Sequence, residues 1–174
     1  MKKTKNLTRY LTRTAIIAAL YTTLTLVSFV LGLSSGAIQL RLSEALCLLP
    51  LIMPEAVLGL FIGCLISNLI TGCVIWDIIF GSLATLIGAV ATRALAKYNL
   101  PLWIKSLPTV LSNAIIVPLV LMFAYGAEGS YLFFFTTVGL GEFLSATVLG
   151  VGLFKLISSN ESVCRAMGIK NRNG

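Results

Sequence analysis

The sequence predicts an all-α integral membrane protein: six transmembrane helices in a single domain over residues 1–174, with both termini cytoplasmic. Three observations carry this. The chain is 57% hydrophobic and only 11% charged, with a mean hydropathy of +0.98, whereas a soluble domain carries roughly 25% charged residues. The apolar residues come in long runs, not in amphipathic stripes or in the strand alternation of a membrane barrel. The basic residues gather at chosen places. Lys2, Lys3, Lys5, Arg9 and Arg13 precede the first apolar run, Arg93, Lys97 and Lys105 flank one central loop, and Lys155, Arg165, Lys170 and Arg172 follow the last run. That is the distribution of charge that holds loops on the cytoplasmic side. The net charge of +7 therefore speaks for topology and against nucleic acid.

A helical span needs about 20 apolar residues, and six segments can be drawn. The first, 10–33, follows a basic start. Its apolar run is too long for a signal-peptide core of roughly 7–15 residues, so it reads as a retained span. The second, 41–52, is short and ends between Pro50 and Pro54, a pair that a helix seldom passes unbroken. At about 1.5 Å per residue it does not cross a bilayer as an α-helix; it either starts deep or is a half-helix. The third is 55–71, the fourth 77–97, the fifth 102–125 with Pro108 and Pro118 inside it, and the sixth 131–158. Merging the second and third would put two basic ends on opposite sides, which favours the even number. With six spans every basic residue lies inside except Arg41, and an exception to the positive-inside rule wants a local partner. Glu44, three residues on, offers one on the same helix face.

Small residues four apart, Ala15/Ala19, Gly59/Gly63 and Ala84/Gly88, allow close helix approach. For Gly59 and Gly63 packing within the bundle is the expected role. Gly139, Gly141, Gly150 and Gly152 surround Glu142 and leave room for a close neighbour there. Cys47, Cys64, Cys73 and Cys164 form no CxxC pair, and the chain has no histidine. A histidine triad is thereby excluded, the pattern speaks against the usual His/Cys zinc sites, and the cysteines read as packing residues. No phosphate-binding GxxxxGK[ST] pattern is present.

The polar residues left inside or beside the apolar runs are the candidate site: Glu44, Asn68, Trp76, Asp77, Asn113 and Glu142, with Arg41 orienting Glu44. All fall between the outer surface and the middle of the bilayer. A carboxylate near a helix centre costs on the order of 3 kcal/mol to insert, so Glu142 is expected to face a cavity or a donor. Structural alternatives stand beside most of them. Arg41 and Glu44 can be an ion pair that fixes a loop, Asp77 a helix N-cap, Trp76 an interfacial belt residue, and Asn113 an interhelical hydrogen bond. Glu55 and Glu128 fall in turns and are expected to be solvated. Together the set suggests an outward-facing pocket for a small, planar, donor-rich ligand, with carboxylates as acceptors and Trp76 as a stacking face.

The segments Ile38–Leu46 (IQLRLSEAL), Leu49-Pro50, Gly59–Asn68 (GLFIGCLISN) and Asp77–Leu86 (DIIFGSLATL) carry a resemblance. The chain resembles the substrate-binding S component of energy-coupling factor (ECF) transporters, specifically the QueT family of queuosine-precursor transporters, over essentially its whole length. The resemblance implies a multi-pass S component in the cell membrane that captures a 7-deazaguanine from outside. It implies docking through the alanines of the first helix, here Ala15 and Ala19, on a transmembrane T subunit that carries two cytoplasmic ATPases. ATP and Mg would belong to those partners, with no cofactor in this chain and no enzymatic activity. The loop 34–40 would be a lid. Three other readings remain open on the residues: an S component for another vitamin-like ligand such as a thiamine-type cation, an intramembrane enzyme using Glu44 and Glu142 as acid and base, and a structural subunit with no ligand.

Overall fold

The computed structural model describes residues 2–33 and 39–167. Every regular element among them is helical. Helix α1 (Lys2–Val30) begins well before the apolar run because no glycine or proline interrupts residues 2–31. It closes where Leu33 N–H reaches the Ser28 carbonyl at 2.9 Å around Gly32, whose φ is +70°, a left-handed stop that suits glycine. The next segment, Leu42–Leu51, winds as a 3₁₀ helix with Pro50 inside it. Helix α2 (Glu55–Ile70) turns through Gly72, φ +73°, into α3 (Ile75–Ala94). Helix α4 (Leu102–Phe123) contains both Pro108 and Pro118. The last long rod is α5 (Tyr131–Glu142), a π-helical stretch Phe143–Leu149 and α6 (Gly150–Ser159) in one continuous run, followed by the short α7 (Glu161–Met167).

Four stretches are long and apolar enough to cross a membrane: Leu7–Val30, Ile75–Lys97, Leu102–Phe123 and Tyr131–Ser159. The 3₁₀ segment and α2 are apolar but shorter. The expected 41–52 α-helix is thus corrected to a different winding. A 3₁₀ helix rises about 2.0 Å per residue, so the same residues reach further than an α-helix does.

Glycines set the closest approaches. A Cβ on Gly59 would lie 2.8 Å from Ile17 Cβ, and one on Gly63 would lie 2.7 Å from Tyr21 Cβ. These two glycines seat α2 against α1, the packing role the sequence suggested. Gly88 does the same for α3 against α4, where a Cβ would come 2.8 Å from Thr109 Cα. The apolar core joins Ile17 and Tyr21 of α1 to Leu46, Leu49 and Met53, with Leu60 and Cys64 of α2.

The contacts give the bundle two unlike poles. At one, Arg13 pairs with Glu55 at 3.0 Å, and Arg93 donates to the Pro50 and Leu51 carbonyls at 3.1 and 3.2 Å. Glu55 is therefore buried and paired, not solvated in a turn as the sequence suggested; Arg13 reaches it across the α1–α2 seam. Glu128 is exposed. At the opposite pole Ser28 Oγ accepts the Leu42 N–H at 2.9 Å, and the turns after α2 and α4 meet over Asp77.

Candidate functional site

The second pole holds a cavity of about 380 Å³, within the range of about 300–1,000 Å³ usual for small-molecule sites. Its polar wall is Thr25, Gln39, Arg41, Asn68, Thr71 and Asp77, with Cys73. Its apolar wall is Phe29, Val117 and Leu121, and Tyr125 stands at its rim. A larger groove of about 540 Å³ runs between α3 and α4, but it is walled by Phe80, Leu83, Ile87, Leu119 and other apolar side chains on the outer face. Of the two, the first has the polar lining.

Asp77 and Asn68 come together where α2 gives way to α3. Asn68 Nδ2 donates to the Asp77 carbonyl at 3.5 Å. Gly81 leaves them room, since a Cβ there would lie 3.0 Å from Asp77 Oδ1 and 3.3 Å from Asn68 Nδ2. Asp77 is not the cap of α3. That position is Val74, which makes no side-chain cap bond, and the Asp77 carboxylate instead accepts from Tyr125 Oη at 3.0 Å.

Glu44, Glu142 and Asn113 do not line this cavity. They lie beneath it, where the 3₁₀ segment meets α4 and the π stretch. Glu44 is 2% exposed and accepts a hydrogen bond from the Tyr21 hydroxyl, itself 1% exposed. Glu142 is 7% exposed, and its Oε2 is buried with no hydrogen-bond partner among the described residues. Asn113 sits beside Glu142 and donates to the Thr109 carbonyl one turn back at 3.2 Å. A buried acceptor left without a donor costs about 1–3 kcal/mol or more when charged, so Glu142 is a place where stability has been given up.

Arg41 joins the two levels. It lines the cavity, and its guanidinium acts electrostatically on Asp77 and Glu142 as well as on Glu44. Among the described residues no carboxylate lies within ion-pair distance of it; the bonded partner of Glu44 is Tyr21. The backbone just before Arg41 is pressed against the Glu142 helix, for a Cβ on Gly141 would come 2.1 Å from the Gln39 carbonyl oxygen. Of the loop 34–40 expected as a lid, residues 34–38 lie outside the described residues.

Trp76 is not brought to the cavity. It is 56% exposed, stacks on Phe80 with ring centroids 6.1 Å apart, and belongs to the outer apolar groove. The rings at the cavity are Phe29 and Tyr125. Ala15 and Ala19 are exposed on α1 and line a shallow groove with Leu11, Ile62 and Ile66. Sequence reasoning missed Tyr21, Tyr125, Thr25 and Gln39. A tyrosine inside a span, as Tyr21 is, was the available signal; the others carry none that distinguishes them from packing or turn residues.

Long apolar helices around a polar cavity of small-molecule size at one pole, with Asp77 and Arg41 in its wall, mark a helical membrane protein. The chain belongs to the QueT transporter family, whose model matches residues 11–159. It is 37% identical over 87 residues to a queuosine precursor transporter QueT of Lactococcus lactis subsp. cremoris (strain MG1363), a match that covers 50% of each chain. No solved structure matches it.

Proposed function

We propose that this protein is the substrate-capturing S component of an ECF transporter in the cell membrane, and that its ligand is a queuosine precursor or a related 7-deazaguanine. The observation that carries the reading is the polar cavity at the pole away from the basic residues. Counting the 3₁₀ segment and α2 as passes gives six, with Arg13, Arg93 and the basic residues other than Arg41 facing the cytoplasm and the cavity facing outward. A guanine-type edge presents adjacent N–H donors, which suit the Asp77 carboxylate and the Asn68 side-chain oxygen. Arg41 and Gln39 suit its carbonyl side. Glu142 and Glu44, held beneath, set the potential of the cavity floor through Arg41. The aromatic wall in this reading is Phe29 and Tyr125, in place of Trp76.

The chain has no phosphate-binding loop, so the energy would come from partner subunits: a transmembrane T subunit and two ATPases that hydrolyse ATP with Mg. The α1 groove at Ala15 and Ala19 suits the docking of an apolar partner helix. The test is ligand-dependent thermal stabilisation of the purified chain in detergent, with 7-deazaguanines, guanine and thiamine as probes. A ligand at 100 times its Kd adds about 2.7 kcal/mol of stability. A shift with a 7-deazaguanine and none with guanine or thiamine is expected. A shift with thiamine alone, or with none of them in folded protein, would overturn the substrate assignment.

A further inference from the structure

Asp77 is the one carboxylate in the cavity wall, and it is held from outside its own helix. Tyr125, two residues beyond the end of α4, donates to Asp77 Oδ2 at 3.0 Å, while the same hydroxyl accepts the Val74 N–H at 3.3 Å. One hydroxyl thus ties the turn before α3 to the turn after α4. The Tyr125 backbone is itself anchored. Its N–H reaches the Val120 carbonyl at 3.3 Å, Ala127 N–H reaches Leu121 at 3.0 Å, and Gly126 at φ +62° makes the turn. Burial pushes the Tyr125 hydroxyl up, and the Asp77 carboxylate adds to it. The group stays a donor at any pH where the ordinary tyrosine does. Asp77 Oδ1 takes no bond from the described residues, and Gly81 leaves it open on the Asn68 side.

We propose that Tyr125 is a positioning residue for ligand recognition: by holding Asp77 Oδ2 it fixes the carboxylate plane so that paired N–H donors on the ligand edge meet it in line. This rests on the reading of the cavity as the 7-deazaguanine site. A carboxylate has about four lone-pair sites, so the tyrosine leaves acceptor capacity on both oxygens. Without the tyrosine the carboxylate is free to turn about its terminal torsion, which is broad for aspartate. The contact most sensitive to that rotation is the two-point one.

The test is binding of two probes to the full chain in detergent: a 7-deazaguanine, and the same compound lacking the 2-amino group. The unaltered protein should prefer the first. Tyr125→Phe should weaken the first about tenfold, the loss expected for a hydrogen bond to a charged group, and weaken the second much less, so that the preference collapses. In an Asp77→Asn background Tyr125→Phe should add no further loss, because the two residues act as a unit. An equal fall for both probes, or full additivity with Asp77→Asn, means Tyr125 only supports the loops and overturns the proposal. A gain in affinity overturns it too, because the hydroxyl then competes with the ligand. If the unaltered chain binds no 7-deazaguanine, the functional reading fails and the proposal fails with it.

Discussion

Gly141→Ala tests how the chain before Arg41 is coupled to the helix that carries Glu142. The added Cβ would sit 2.1 Å from the Gln39 carbonyl oxygen and 3.0 Å from its carbonyl carbon. Both are backbone atoms, so no side chain can swing away. To reach the shortest tolerable contact Gln39 must retreat by about 1 Å, and overpacking of this kind costs about 1–3 kcal/mol. Gln39 and Arg41 are both in the cavity wall, so the retreat drags polar groups from the site although residue 141 never touches ligand. The expected outcome is a fall in thermal stability together with about tenfold weaker ligand binding, a factor that corresponds to about 1.4 kcal/mol. Gly152→Ala is the control. Nothing lies within 4 Å of a Cβ there, and replacing a mid-helix glycine by alanine stabilises by about 0.5–1 kcal/mol. Calorimetric binding and thermal unfolding of both variants decide the matter. Unchanged affinity in a destabilised Gly141→Ala protein would refute the link between this contact and the site.

Three further outcomes follow from the placements. Glu142→Gln should weaken ligand binding by less than about 1 kcal/mol, because its carboxylate lies beneath the cavity and reaches it only through Arg41; a loss of roughly 1.5–3 kcal/mol by titration in a folded variant would mean a direct charge-assisted bond to the ligand and overturn that placement. Trp76→Ala should leave affinity within experimental error, since its ring lies on the outer groove; a clear loss would mean that the ring reaches the ligand after all. Ala15→Leu or Ala19→Leu should abolish co-purification with a T subunit while ligand binding to the isolated chain persists, and normal complexes would reduce that face to a lipid contact.

The helical class and the limits of most helices were legible because each rests on a local signal: apolar length, a proline, a glycine at the turn. Asp77 and Asn68 were legible as polar residues at the ends of adjoining spans, and a short turn through Gly72 brings them together. Trp76 was misleading for a geometric reason. It adjoins Asp77 in sequence, but successive helical residues are about 100° apart, so the ring points to the outer face while the carboxylate points in. Glu55 read as solvated because its partner, Arg13, lies 42 residues away. Tyr21 was hidden likewise: its donation to Glu44 spans 23 residues and depends on Gly63 letting α1 and α2 close together.

The two irregular windings explain why the carboxylates lie where they do. The 3₁₀ segment and the π stretch face each other. Cys47 Sγ donates to the Ala146 carbonyl at 3.4 Å, and a Cβ on Gly150 would stand 3.3 Å from the Ala45 carbonyl oxygen. A 3₁₀ helix is drawn out and a π turn is widened relative to an α-helix. Each therefore shifts the side chains beyond it out of the register that an α-helix of the same sequence would give. Glu44 sits in the first turn of one and Glu142 immediately precedes the other, so each buried carboxylate stands where an irregular winding begins, and both are coupled electrostatically to Arg41. The cost of poorer backbone hydrogen bonding over ten and seven residues is kept where it positions ionisable groups inside an apolar bundle, which is where membrane proteins place function.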